Sequence, residues 1–258
     1  MTLLILQSDI VWGDPEANRR RLEEQMDAHP GADLYVLCEM WPTGFVMEPE
    51  SVAEPFPGRS FGWMADMSVR RQAAIAGSVA VREKDGTFRN RFYFITPDGR
   101  WYYYDKRHLF GLGGEDKHYT PGKERMVVEW RGVRFLLAVC YDLRFPAWTR
   151  NHGDYDCILY VANWPTPRIE AWNTLLRARA IENQCYVVGV NRVGQDPNCQ
   201  YCGCSAIIDA YGHTLAECER DKETTAEALL DMEALRKFRT KFPVLQDADL
   251  VEVKRLKG

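Results

Sequence analysis

Several short stretches of this chain are apolar at almost every position: TLLILQ near the start, then LYVLC, AIAGSVAV, RFLLAV, CILYVA and CYVVGV. A strand with one face in water alternates apolar and polar residues, so a run that is apolar throughout needs cover on both faces. The segments between the runs carry helical signatures. Asp14 followed by Pro15 is a helix start, with a capping side chain and a proline at the first helical position, and this helix is predicted to end near residue 28, before Pro30 and Gly31. A second helix is predicted over 61–72 and a third over 169–183, where Ile169, Trp172, Leu176 and Ala180 form a stripe on one face. A last helix is expected over 231–242. Doubly covered strands separated by helices define an α/β chain with helices packed outside a sheet core.

The strands are expected at 2–8, 33–38, 74–81, 134–139, 157–162, 185–191, 205–210 and 214–218. A meander lies between the third and fourth, where Lys84–Gly86 and Pro97–Gly99 are turn signals and RFYFIT and WYYYDK flank the second turn. No linker, low-complexity tract or short-period repeat interrupts the 258 residues, which are expected to form one domain, 1–258. With 46% hydrophobic and 27% charged residues the chain suits a globular protein with a large core. A net charge of −4 without a clustered basic stripe gives no reason to expect a nucleic-acid partner. The opening MTLLILQSDIVWGDPE reads as a core strand rather than a secretory signal, and no apolar run approaches the roughly 18–20 residues that span a bilayer. No membrane partner and a cytoplasmic location are expected, with the eight cysteines as thiols.

Three polar residues stand where a buried sheet would not choose them. Glu39 closes DLYVLCE, Lys106 closes WYYYDK and Cys140 closes RFLLAVC. Ligand sites in α/β sheets gather at the carboxyl ends of strands, so a carboxylate, an ammonium and a thiol at three such ends can converge on one pocket. After Cys140 the chain continues YDLRFP, a sharp turn that exposes a nucleophile and aims the Tyr141 N–H at a developing oxyanion. A thiol of ordinary pKa, about 8.5, is only a few per cent ionised at neutral pH and needs a base, a task suited to Glu39. Lys106 and the Tyr141 N–H would stabilise the tetrahedral oxyanion. A second carboxylate, Glu115, would orient the lysine or assist the hydrolytic water. This arrangement requires neither metal nor cofactor.

The blocks LCEMWPTGF, YDKRHLF, AVCYDLRFP, YVANWP and RARAIENQCYVVGVNRVG together resemble the nitrilase, or carbon–nitrogen hydrolase, superfamily, and they recur in that family's order across the chain. The resemblance implies a four-layer αββα sandwich, assembly into a homodimer or higher homo-oligomer, and a Glu–Lys–Cys triad that falls on Glu39, Lys106 and Cys140. The family's second glutamate falls on Glu115, with Asp116 adjacent as the alternative. CYDLRFP and VANWP are most similar to the omega-amidase branch, whose members release ammonia from the terminal amide of 2-oxoglutaramate or 2-oxosuccinamate. Such an anionic substrate calls for a cationic anchor. Arg144 and Arg168 are the candidates, because a guanidinium can grip a carboxylate with two parallel bonds, and Phe45 and Trp164 are candidate walls. Each of the four is also credible as a packing or surface residue.

Other readings share some of these residues. An N-carbamoyl amidohydrolase, an aliphatic amidase, a nitrilase or an acyltransferase would use the same triad. Outside enzymes, a small-molecule binding protein is one alternative. Another is a zinc or redox protein built on Cys199, Cys202 and Cys204, where C-x-x-C has ligand spacing but a second pair is missing. The resemblance instead aligns Tyr201, Gly203 and Ser205 with a Y-x-G-x-S pattern near the site. His108 is read as a loop or packing residue.

Overall fold

The computed structural model describes residues 1–249. Its strands are β1 (Thr2–Gln7), β2 (Leu34–Val36), β3 (Glu54–Pro55), β4 (Ala74–Arg82), β5 (Phe88–Ile95), β6 (Trp101–Asp105), β7 (Val127–Trp130), β8 (Val133–Val139), β9 (Cys157–Ala162), β10 (Tyr186–Asn191), β11 (Val193–Gln195), β12 (Gln200–Cys202), β13 (Ala206–Ile208), β14 (Thr214–Glu217) and β15 (Thr224–Leu229). The α-helices are α1 (Pro15–Ala28), α2 (Arg59–Arg71), α3 (Glu115–His118), α4 (Pro146–Thr149), α5 (Ile169–Asn183) and α6 (Met232–Lys241). One sheet has the order β15-β1-β2-β4-β5-β6, with β3 paired to β4, and the other has the order β14-β13-β10-β9-β8-β7. Each has a parallel centre, β1-β2-β4 and β8-β9-β10, flanked by antiparallel strands.

The apolar runs explain the layering. In β1, Leu3 and Ile5 face the second sheet while Leu4 and Leu6 pack under α1 and α2 with Leu22, Met26, Met64 and Met67. In β5, Phe92 and Phe94 point inward and Tyr93 and Ile95 outward. Both sides of these strands are therefore buried, as a run without polar alternation requires. On the far side the Ile169, Trp172, Leu176 and Ala180 stripe of α5 is buried against the second sheet. The result is a four-layer αββα sandwich.

The cap read at Asp14 is formed. The Asp14 carboxylate accepts from the Ala17 N–H at 3.0 Å, and α1 ends at Ala28. Asp231 caps α6 in the same way, at 2.9 Å from the Ala234 N–H. The second helix starts two residues earlier than predicted, at Arg59, and Gln72 is its left-handed cap rather than a helical residue. The predicted strand over 33–38 is shorter, Leu34–Val36. Its pairing continues through the Leu37 N–H to Ala76 before Met40 turns with positive φ and donates to the Ser78 hydroxyl. Edge strands β7 and β15 and the small β11–β12 pair were not anticipated. In β15 every residue is at least partly exposed, so TTAEAL lacks the apolar run that marks the interior strands.

Candidate active site

Two sheets contribute to one buried polar cluster. Glu39 follows β2, Lys106 is the first residue past β6, and Glu115 opens α3 in the connection between the sheets. The Lys106 ammonium donates to Glu39 Oε1 at 3.0 Å and to Glu115 Oε2 at 2.8 Å, with all three side chains fully buried. Asp116, the alternative second carboxylate, is exposed. Asn90, on β5, donates from its amide nitrogen to Glu39 Oε1 at 2.7 Å and to Glu115 Oε1 at 3.2 Å. From the second sheet Asn163, just past β9, adds its backbone N–H to Glu39 Oε2 at 2.8 Å and its side-chain nitrogen to the Glu39 carbonyl at 2.8 Å. Glu115 Oε2 also accepts from the Phe110 N–H at 2.7 Å, which ties the glycine-rich loop to the cluster.

The charge balance is unusual: two buried carboxylates face one buried ammonium. Burial works against the lysine's charge, but Glu115 and then Glu39 outweigh it and hold the Lys106 pKa above its ordinary value. Burial raises that of Glu115, Lys106 opposes it and Glu39 adds to the rise. Burying ions is costly and seldom improves stability over apolar packing, so such a cluster points to function.

Cys140 sits at the carboxyl end of β8, as the first residue of a 3₁₀ turn that runs to Arg144. Its φ is 44°, in the left-handed region, a conformation that costs a non-glycine residue about 1–3 kcal/mol and is common at functional sites. The Asp142 carboxylate holds the turn in place. It accepts from the Val139 N–H at 2.9 Å, the His108 N–H at 3.0 Å and the Tyr104 hydroxyl at 2.8 Å, and it meets His108 Nδ1 at 2.7 Å. His108 is thus an anchoring residue, stacked on Phe145 with centroids 3.9 Å apart. The Tyr141 N–H lies in the first turn, where backbone donors have no intrahelical partner. Burial pushes the Cys140 thiol well above its usual pKa, Glu39 adds to this and Lys106 opposes it. An isolated thiol in this place would be inert, and only a neighbouring group able to accept its proton could activate it.

Cys140 opens into a pocket of about 60 Å³ whose lining includes Phe45, Phe110, Tyr141, Arg144, Trp164, Arg168, Cys199 and Tyr201. All the residues singled out in the sequence as candidate substrate contacts therefore share one cavity with the thiol. The Arg144 guanidinium lies over the Trp164 ring at 5.0 Å and that of Arg168 over Phe110 at 5.1 Å, and among the described residues neither pairs with a carboxylate. The Phe45 ring lies 5.1 Å from the Lys106 ammonium. A larger groove of about 560 Å³ beside α5, lined by Arg177, Cys204, Cys218 and Arg220, contains none of the cluster, and chemistry rather than size marks the site. The cysteines considered as a zinc set diverge: Cys199 faces the site pocket, Cys202 is buried and Cys204 faces the larger groove. Of the Y-x-G-x-S residues, Tyr201 lines the site, while the Gly203 carbonyl and the Ser205 hydroxyl bond to Asn191.

Asn90, Asp142 and Asn163 were not singled out as site residues. Asp142 and Asn163 lie within blocks read for their neighbours and Asn90 lies just before RFYFIT, and an asparagine in such places has no spacing signal of its own.

The carbon-nitrogen hydrolase family model matches residues 4–240. The chain belongs to this family. It is 48% identical over 250 residues to the omega-amidase YafV of Yersinia enterocolitica, covering 96% of this chain and 97% of that protein. It is 37% identical over 254 residues to the 2-oxoglutaramate amidase of Bacillus subtilis, covering 95% and 96%. Among solved structures it is similar to a CN-hydrolase superfamily protein of Xanthomonas campestris that carries an arsenic adduct in its active site. That likeness has a TM-score of 0.94 and 41% identity over 98% of this chain and 99% of that one. The chain is accordingly a cysteine-dependent amidase of the omega-amidase branch of the nitrilase superfamily. Among the described residues no helix is long and apolar enough to cross a membrane.

Proposed function

We propose that this amidase hydrolyses the terminal amide of small 2-oxoacid amides, 2-oxoglutaramate and 2-oxosuccinamate, with Glu39, Lys106 and Cys140 as its catalytic triad. The observation that carries the reading is a buried ammonium between two buried carboxylates beside a strained cysteine, which opens into a small pocket flanked by two guanidinium groups that have no carboxylate partner among the described residues. The names of the similar omega-amidase and 2-oxoglutaramate amidase support the substrate class.

In this reading the Cys140 sulfur bonds to the amide carbon while its proton passes to Glu39. The carbonyl oxygen becomes an oxyanion, stabilised by the Lys106 ammonium and the Tyr141 N–H. Such donors are worth roughly 3–4 kcal/mol each when they are pre-positioned. The intermediate collapses as Glu39 returns the proton to the leaving nitrogen, which departs as ammonia and leaves a thioester on Cys140. Water then attacks the thioester carbon, giving a proton to Glu39. The second intermediate expels the sulfur, which regains that proton, and a dicarboxylic 2-oxoacid is released. Glu115 fixes the lysine throughout. Arg144 and Arg168 hold the substrate's far carboxylate, and Phe45 and Trp164 wall its carbon chain.

The test is ammonia release from the two 2-oxoacid amides beside glutamine, aliphatic amides, carbamoyl amines and nitriles, for wild type and Cys140→Ala. Turnover of the 2-oxoacid amides that vanishes in Cys140→Ala is expected. Inert 2-oxoacid amides with another compound hydrolysed would overturn the substrate while leaving the triad, and activity in Cys140→Ala would overturn the nucleophile.

A further inference from the structure

The two carboxylates of the site are joined by two bridges, and only one of them is charged. Glu39 Oε1 accepts from Lys106 at 3.0 Å and from Asn90 at 2.7 Å, while Glu115 Oε1 accepts from Lys106 at 3.1 Å and from Asn90 at 3.2 Å. The same pair of oxygens is thus spanned by an ammonium and by an amide nitrogen. With carboxylates on both sides, the nitrogen end of the Asn90 amide must face them, because an amide oxygen there would meet only acceptors. Its own oxygen is left buried with no hydrogen-bond partner among the described residues, an arrangement that costs stability and persists only where the nitrogen end is needed. Asn90 is itself buried and does not line the substrate pocket.

We propose that Asn90 is a positioning residue that bridges Glu39 to Glu115 with a neutral donor, fixing their separation while leaving one negative charge of the pair uncompensated. This proposal rests on the reading of Glu39 as the base for Cys140. Its chemical point is the neutrality of the bridge. A second cation would pair off both carboxylates and weaken Glu39 as a proton acceptor. An apolar residue would leave two like charges with one ammonium between them, and one carboxylate would take up a proton at higher pH. The amide nitrogen gives each carboxylate a donor and still leaves the site one cation short. Every titratable group that faces this bridge belongs to the same coupled set: Glu39 past β2, Lys106 past β6, Glu115 on α3, Cys140 past β8 and the Tyr119 hydroxyl, which senses all three charges. The pH behaviour is therefore that of the set.

The experiment is the pH dependence of Cys140 alkylation by iodoacetamide, followed by peptide mass spectrometry, in wild type, Asn90→Leu and Asn90→Ser. Iodoacetamide is a small primary amide and reads the proton acceptor of Cys140 without regard to which substrate the enzyme uses. The acid-side midpoint is expected to rise by about one to two pH units in Asn90→Leu, with a smaller rise in Asn90→Ser, which keeps one hydroxyl donor. On whichever amide the wild type hydrolyses, kcat/KM should fall about tenfold to a hundredfold, with KM little changed. Lower thermal stability with an unmoved midpoint in both variants would overturn the proposal, because a packing role shifts stability alone. Should Asn90→Leu not fold, the midpoint of Asn90→Ser decides in the same way. Failure of the triad reading shows separately, as amide turnover that persists in Cys140→Ala.

Discussion

Replacing Asp142 with asparagine changes neither the size nor the shape of the side chain, yet it should be among the most damaging conservative changes in this chain. The carboxylate is fully buried and faces donors on both oxygens, with Val139 and Tyr104 on one and His108 on the other. Asparagine has one acceptor oxygen and a nitrogen that only donates. Turned toward Tyr104, that nitrogen finds no acceptor. The Tyr104 oxygen already receives the Arg107 N–H at 3.0 Å and the Trp148 indole N–H at 3.0 Å, and burial followed by the Asp142 charge keeps the phenol protonated. The better orientation gives the nitrogen to His108 Nδ1 and leaves the part-buried His108 N–H without its acceptor. One orphaned donor plus two charge-assisted bonds reduced to neutral ones sum to about 2–5 kcal/mol. For a chain of this size that corresponds to a fall in Tm of about 5–15 °C. Differential scanning calorimetry of Asp142→Asn measures it directly. A fall below about 2 °C would show that the donors around Asp142 find other acceptors and that the account of the Cys140 turn is wrong.

Two further perturbations probe charge. Lys106→Met leaves Glu39 and Glu115 buried without their cation and should cost about 3–5 kcal/mol in urea unfolding at neutral pH, a deficit that shrinks as acid protonates the carboxylates; an equal deficit at both ends of the pH range would contradict the assignment. Burial works against the charge of Asp156, but Arg134 and Arg239, paired with it at 2.9 and 2.8 Å, outweigh burial and hold its pKa below the usual carboxylate value. A depressed folded pKa means that the stabilisation is complete above the unfolded value, about 3.9, and is lost as pH falls through the folded one. Asp156→Asn should therefore lower Tm at pH 7 and flatten its decline below about pH 4. A parallel curve would remove Asp156 from the acid response.

The interior of the fold was legible because it is written in apolar runs. The central strands follow from the apolar runs, α1 from its cap and α5 from its apolar stripe, as the Asp14 bond and the buried stripe illustrate. What escaped was the periphery: β15 pairs along the whole of β1, yet its residues are partly exposed and no pattern announces them. Polar residues at strand ends made Glu39, Lys106 and Cys140 stand out, and the buried position of Glu115 separates it from the exposed Asp116. The supporting asparagines did not stand out, since their value lies in which end of a neutral amide faces a carboxylate from another strand or the other sheet. That is a property of assembled geometry. Neither composition nor spacing encodes it.

Glu39, Asn90 and Lys106 come from one sheet, Cys140 and Asn163 from the other, and Glu115 from the connection between them. Neither sheet alone contains the proposed nucleophile together with its proposed base. The reactive centre is therefore an emergent property of docking, born when the two halves meet and lost when they part. Parting the sheets at Glu39 and Asn163 would separate the thiol from the carboxylate.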